Sequence, residues 1–241
     1  MTLPFNVFTE KDDPRLIEIV KKTLALFERI GRVSIPANYS GAQGTEGDFN
    51  SPGWYVAQAY NSGRKQVNSS RLWKLFEREP WQKQERHFEL MVMESDLYYP
   101  SPDNNFIFGE TKMKIHNKGI ILKDHYSDGS PRIAGTIQSV HRIRRWYGSD
   151  WELAFCAILT HELGHFFGMP SASSPNYVGQ AKHELDVDHC NDRDCIMEQV
   201  NIPGRPDLLT KAKHLLRNNP DWFCKPDLAA LQDNLQRLYT S

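Results

Sequence analysis

The chain has 241 residues, 39% of them hydrophobic and 24% charged. These proportions suit a folded protein with one sizeable core, or a core plus a smaller subdomain, and exclude a disordered or fibrous chain. With 29 basic and 30 acidic side chains the formal net charge is −1, so no general affinity for nucleic acid or for an acidic membrane is expected.

Met1 to Asp13 carries no basic stretch followed by an apolar run, and no apolar segment approaches membrane-spanning length. The expectation is a cytoplasmic monomer. Asp13-Pro14 predicts a helix start, with Ile17, Val20, Leu24 and Phe27 at helical spacing and Gly31 as the stop. Arg32 to Pro36 reads as a short strand, and Asn38 to Gly53, rich in Gly, Ser, Asn and Thr, as a loop. Ser69 to Glu79 is a second helix. Phe88–Met93, Asn105–Phe108 and Gly119–Lys123 are strand candidates. Gly135 to Arg144 supports two readings: Ile137, Val140 and Ile143 suit a helix, while the β-branched content suits a strand. Trp151 to Phe167 is the strongest helical segment, with Asp150 as its expected cap. Pro206–Arg217 and Pro226–Leu238 are two further amphipathic helices, the last with Leu228, Leu231, Leu235 and Leu238 on one stripe.

The helix at 151–167 carries His161-Glu162-Leu163-Gly164-His165. Four residues separate the histidines, which places both imidazoles on one face, a turn apart and within reach of one metal ion. Glu162 projects beside the pair. A carboxylate there can take a proton from a zinc-activated water and return it to a leaving amine. The reading is a zinc-dependent metallopeptidase acting on a peptide or protein substrate. Gly168 follows His165 by three and lets the chain turn beneath the helix end, so that a third ligand can approach from below.

Catalytic zinc needs a third protein ligand. The metzincin pattern H-E-x-x-H-x-x-G-x-x-H would place it at position 171, which is Ser171. His183 and His189 follow. His189 is preferred because it opens His189-Cys190-Asn191-Asp192-Arg193-Asp194-Cys195-Ile196-Met197. This text resembles the archaemetzincins, zinc metallopeptidases whose helix motif continues as H-C-x-x-x-x-C-x-M and then F-C-x-x-C. Here an insertion, residues 171–188, precedes the histidine. Ala59 to Gln66, Asp96-Leu97-Tyr98, Asn105 to Glu110 and Ser139 to Gly148 also resemble family segments. A rival remains open: Glu184-Leu-Asp-Val-Asp188 fits E-x-x-x-D, the third-ligand motif of gluzincins.

The resemblance implies an α+β, zincin-like fold, with a twisted mixed sheet, an active-site helix and a helical C-terminal part. Residues 1–168 would form the sheet-bearing subdomain. Residues 169–241 would carry the third ligand, the Met-turn residue Met197 and a cysteine cluster. It further implies that the segment around Gly135 to Arg144 is the edge strand beside the cleft, pairing with an extended substrate. In the family four cysteines hold a second, structural zinc. Cys190, Cys195 and Cys224 occupy three of those positions, and Phe223-Cys224-Lys225-Pro226-Asp227 has Asp227 where the fourth is expected. A carboxylate can also bind zinc.

Cys156, inside the motif helix, reads as a small core residue. His87, His116, His125, His141 and His214 lack ligand spacing and read as structural or solvent-facing. Arg142, Arg144 and Arg145 read as a solvated charged face, and Trp146, Tyr147 and Trp151 as core. A competing function class is a zinc-stabilised interaction module without peptidase activity; the presence of Glu162 argues against it.

Overall fold

Phe5, Val7 and Thr9 are buried and alternate with half-exposed neighbours, the period of a strand with one face in a core. In the computed structural model, which describes residues 3–42, 48–79, 85–101, 106–112, 133–178, 189–200 and 207–240, this segment is β1 (Phe5–Thr9), an element absent from the sequence expectations. Asp13 then caps α1 (Pro14–Gly31), accepting from the Arg15 N–H at 3.0 Å. The helix ends where Arg32 adopts the left-handed conformation. The strand predicted at Arg32–Pro36 is displaced to β2 (Ala37–Gly41). Glu28 Oε1 takes the Ile35 N–H at 2.8 Å, removing a donor that a strand there would need. The predicted loop from Asn38 to Gly53 therefore opens in a strand. It also contains the start of α2 (Pro52–Ala59), which Ser51 caps through a 3.1 Å bond from the Trp54 N–H.

Three short strands, β3 (Tyr60–Asn61), β4 (Gln66–Asn68) and β6 (Leu97–Tyr98), form a small sheet around α3 (Ser69–Phe76). The larger sheet has the order β2-β1-β5-β8-β7, with β5 at Phe88–Met93, β7 at Gly109–Lys112 and β8 at Gly135–Ser139. Strands β2, β1, β5 and β8 run parallel, and β7 closes the described sheet antiparallel to β8. Two expectations are corrected here. The strand predicted at Asn105–Phe108 begins later, at Gly109, and Ile107 contributes only a bridge to Leu97. The segment read as either helix or strand is both in turn: β8, then α4 (His141–Tyr147). Moreover, β8 is not an edge strand. Its backbone bonds β5 on one side and β7 on the other, so among the described strands β7 lies outermost. The strand predicted at Gly119–Lys123 lies outside the described residues.

The sheet separates two cores. On β5, Phe88, Leu90 and Val92 join a large cluster with α1 and with α5 (Trp151–Phe166), while Met91 and Met93 join a smaller one with α2 and α3. The end of α5 is anchored by aromatic contacts: Phe166 lies 5.1 Å from Phe5 and 4.9 Å from Phe88, and Phe167 lies 5.0 Å from Phe27. Each such pair contributes roughly 0.5–1.5 kcal/mol beyond its buried area, and together they fix the helix that carries the two histidines. The Asp150 cap is not made; Asp150 pairs with Lys213 at 2.8 Å instead. Arg142 and Arg144 are not a solvated face either. Arg142 grips Asp96 through two bonds of 2.8 and 2.6 Å and lies over Phe106. Arg144 joins Glu94 to Asp13 and lies over Trp151.

After α5 the chain forms the paired strands β9 (Tyr177–Val178) and β10 (His189–Cys190), then α6 (Leu208–Asn218) and α7 (Lys225–Tyr239). Leu231 and Leu235 of the predicted stripe are fully buried, and Leu228 and Leu238 pack at its margin. Among the described residues no helix is long and apolar enough to cross a membrane. Lys211 of α6 is 2% exposed at its side chain and meets the equally buried Glu198 at 2.5 Å. Replacing Lys211 with Met strands a buried carboxylate. The chain should lose about 3–5 kcal/mol, and Glu198→Leu in the same chain should restore most of it. Urea unfolding of the single and double variants measures both; an unchanged midpoint for Lys211→Met contradicts the assignment.

Candidate active site and metal centre

Helix α5 is apolar on nearly every side, as a helix buried between sheet and neighbouring helices must be. His161 and His165 lie on it one turn apart, and β10 brings His189 to them. The ring centroids of His189 stand 5.5 Å from His161 and 5.6 Å from His165. All three histidines offer ligand atoms within 4.8 Å of one another. Glu184 and His183, the other residues considered for this position, lie outside the described residues.

The protons on these rings are assigned by their partners. His161 Nδ1 faces the Ile196 carbonyl at 2.8 Å, and His165 Nδ1 faces the Met169 carbonyl at 2.9 Å. A carbonyl only accepts, so each Nδ1 carries the hydrogen and each neutral ring turns an Nε2 lone pair inward. The two Nε2 atoms are 3.1 Å apart. Two lone pairs at that distance need a cation between them. Burial, reinforced by the other two imidazoles, holds the His165 pKa well below the usual histidine value. A metal ion therefore suits the gap better than a proton.

The turn beneath the helix follows from Gly168, which has φ +83°. There the Gly168 N–H donates to His165 O and the Met169 N–H to Gly164 O, which aims the Met169 carbonyl back at the His165 ring. Met197 is fully buried and packs against α5. A Cβ on Gly164 would stand 2.5 Å from its sulfur. The same loop supplies Ile196 O to His161 and Met197 O to the Cys190 N–H.

Glu162 is half-buried and reaches a cleft of about 220 Å³ lined by Phe108, Ile158, His161, His189, Val200 and Leu208, among others. Its Oε2 accepts a 2.6 Å bond from Thr111 Oγ1 on β7. Thr111 also shares a 3.0 Å bond with Thr136 Oγ1, and Gln138 Nε2 donates to Thr136 at 2.6 Å. Because the single Thr111 proton goes to the carboxylate, the shared proton comes from Thr136. The row is directed from Gln138 toward Glu162. None of these three residues is singled out by the sequence. Their signal is the polar pair Thr136 and Gln138, two places apart and so on one face of a strand buried throughout.

A second group forms around the start of α7. Cys190, Cys195, Cys224 and Asp227 are all buried and bring their ligand atoms within 4.8 Å. Cys190 and Cys224 sulfurs are 3.8 Å apart, and Asp227 Oδ2 lies 3.3 Å from both Cys195 and Cys224. Asp227 Oδ1 is buried with no hydrogen-bond partner. Burial pushes the Cys195 thiol far above its ordinary pKa, whereas hydrogen bonds from Cys190 and Cys195 pull Cys224 far below. Three thiols and a carboxylate with an orphaned oxygen are a donor set that a soft divalent cation satisfies. Cys156 stands apart, its sulfur 3.7 Å from Thr23 Oγ1.

The remaining sequence candidates divide. His141 and His214 are exposed, but His87 is deeply buried. His116 and His125 lie outside the described residues. Trp151 and Tyr147 pack on the core, whereas Trp146 is 48% exposed and stacks edge-on with Phe106 and Phe108 near the cleft, which corrects its core assignment.

Among solved structures the chain resembles an archaemetzincin from Methanopyrus kandleri, with TM-score 0.57 and 20% identity over 98% of this chain and 97% of that one. It also resembles an archaemetzincin from Archaeoglobus fulgidus complexed with malonate, with TM-score 0.52 and 16% identity over 95% and 99%. A zinc-dependent peptidase from Methanocorpusculum labreanum gives TM-score 0.50 and 15% identity over 94% and 99%. The fold is thus that of the archaemetzincins over nearly the whole chain. No protein-family model and no curated protein matches it.

The contact beneath the helix is testable. Gly164→Ala should cost about 1–3 kcal/mol by forcing Met197 aside. In a double-mutant cycle with Met197→Ala the two losses should couple by more than about 0.5 kcal/mol. Additive losses in thermal unfolding would show that the sulfur does not confine this position.

Proposed function

We propose that the chain is a zinc-dependent metallopeptidase. The observation that carries the reading is the convergence of His161, His165 and His189, with His161 and His189 lining one cleft beside the half-buried carboxylate of Glu162. The three histidines would hold zinc: three imidazoles suit that ion and leave a position for water. Zinc bound there supplies a Lewis acid that polarises a carbonyl and acidifies water. The likeness to archaemetzincins and to a zinc-dependent peptidase supports the same reading.

Glu162 acts as the general base. Its carboxylate accepts the proton of the attacking water and delivers it to the leaving amine. Thr111, backed by Thr136 and Gln138, holds the Oε2 side of that carboxylate in place. Strand β7, which carries Thr111, would receive an extended peptide or protein substrate along its outer side. Cys190, Cys195, Cys224 and Asp227 would hold a second, structural zinc that fastens β10 to the start of α7.

Glu162→Gln should abolish cleavage of a peptide library while leaving the zinc content unchanged. His189→Ala should lower both. Undiminished turnover in Glu162→Gln, or wild-type cleavage that survives chelator, sinks the mechanism. An inert wild-type chain that holds zinc would favour the interaction module. Thr111→Val should reduce kcat roughly ten- to hundredfold, the range for losing a hydrogen bond to a charged group, with zinc content intact. Thr111→Ser, which keeps the hydroxyl, should recover most of the rate; failure to recover would assign the loss to packing.

A further inference from the structure

The smaller core, on the face of the sheet away from α5, contains a third convergence of donor atoms. Glu79 follows α3, His87 precedes β5, and Glu89 lies on β5. They are 5%, 3% and 0% exposed, and their ligand atoms lie within 4.8 Å of one another. His87 Nδ1 faces the Glu85 carbonyl at 2.7 Å, so it carries a hydrogen there and Nε2 is the ring atom turned inward. His161 and His165 likewise turn Nδ1 onto backbone carbonyls.

What Nε2 meets is a pair of carboxylates. Glu89 Oε1 stands at 2.8 Å and Glu79 Oε2 at 4.0 Å. Tyr55, on α2, donates its hydroxyl to Glu79 Oε1 at 3.0 Å and so fixes how that carboxylate is turned. Glu79 Oε2 is left buried, directed at the imidazole and without a hydrogen-bond partner. A buried carboxylate oxygen in that position is costly unless something positive reaches it. Two carboxylates and an imidazole are a hard-to-borderline donor set, suited to Mn²⁺ or Zn²⁺.

We infer that Glu79, His87 and Glu89 form a further metal site, taking a divalent cation of the Mn²⁺ to Zn²⁺ series and clipping α3 to the start of β5. Tyr55 orients the Glu79 ligand and ties α2 to the same point. The burial of all three ligands makes the site structural, and it owes nothing to the peptidase reading.

Metal content of the purified chain, after equilibration with MnCl₂ or ZnCl₂ and desalting, tests the inference. Glu79→Gln and His87→Gln should each carry one equivalent fewer than wild type, with the ions at the histidine and cysteine groups retained. Added Mn²⁺ or Zn²⁺ should raise the melting temperature of chelator-treated wild type more than that of either variant. Equal metal content in wild type and folded variants, with both ions, overturns the inference. Should the variants not fold, anomalous scattering from wild-type crystals soaked in each salt decides. A peak between the three side chains supports the site, and its absence with both metals overturns it.

Discussion

Two imidazole nitrogens held 3.1 Å apart, with their protons turned away onto backbone carbonyls, are the constraint around which this protein is arranged. Neither ring can relieve the contact by tautomerising, because each would abandon a buried carbonyl. Each carbonyl in turn depends on a different piece of chain. Met169 O is aimed by the left-handed turn at Gly168, and Ile196 O by a loop whose own N–H is tied to Trp222 O. The aromatic anchoring of Phe166 and Phe167 stops the helix from sliding away from either. The large core is thus the reason the nitrogens stay in register, and the chemistry inherits its geometry from packing.

At its β8–β7 margin, on the face toward α5, the sheet contributes through polarity rather than bulk. Thr136 and Gln138 are buried on β8, and their hydrogen bonds run through Thr111 to a carboxylate of the facing helix. An antiparallel outer strand is what allows this. With Thr111 opposite Thr136 the two hydroxyls meet directly across the pair. The arginines of α4 have a comparable role at the far ends of the parallel strands. Arg144 bridges Asp13, at the start of α1, to Glu94, just after β5, and so locks helix to sheet.

How much of this was readable beforehand depends on how far apart in sequence the partners lie. His161, Glu162 and His165 declare themselves because a single helical turn sets their spacing, and Gly168 because its reach is equally short. His189 is legible through its neighbours, the Cys190 to Met197 text, and not through any periodicity of its own. The helices α1, α5, α6 and α7 follow from apolar recurrence, α1 also from its Asp13 cap, and β5 from its apolar run. What escaped was non-local. Whether Gly135–Ser139 lies inside the sheet or at its border depends on which strand pairs with its second side, a fact encoded some 25 residues away in Thr111. The partners of His87 lie nearer, Glu89 on the strand that follows it and Glu79 just after α3, but no periodicity relates the three. β1 is hard to read from sequence although Phe5, Val7 and Thr9 show the period of a strand. The segment is short, and only its two parallel neighbours, distant in sequence, make it an inner strand of a sheet.

The dipeptide His189-Cys190 belongs to two assemblies at once. Successive residues of a strand project to opposite sides, and here one side meets the imidazoles and the other the thiols. A slip of β10 by a single place would present sulfur to the histidines and a ring to the cysteines, spoiling both together. Neither cluster can therefore mature alone. Whatever orders the sulfurs during folding also delivers the last nitrogen, and damage to one nest of donors travels a single peptide bond to reach the other.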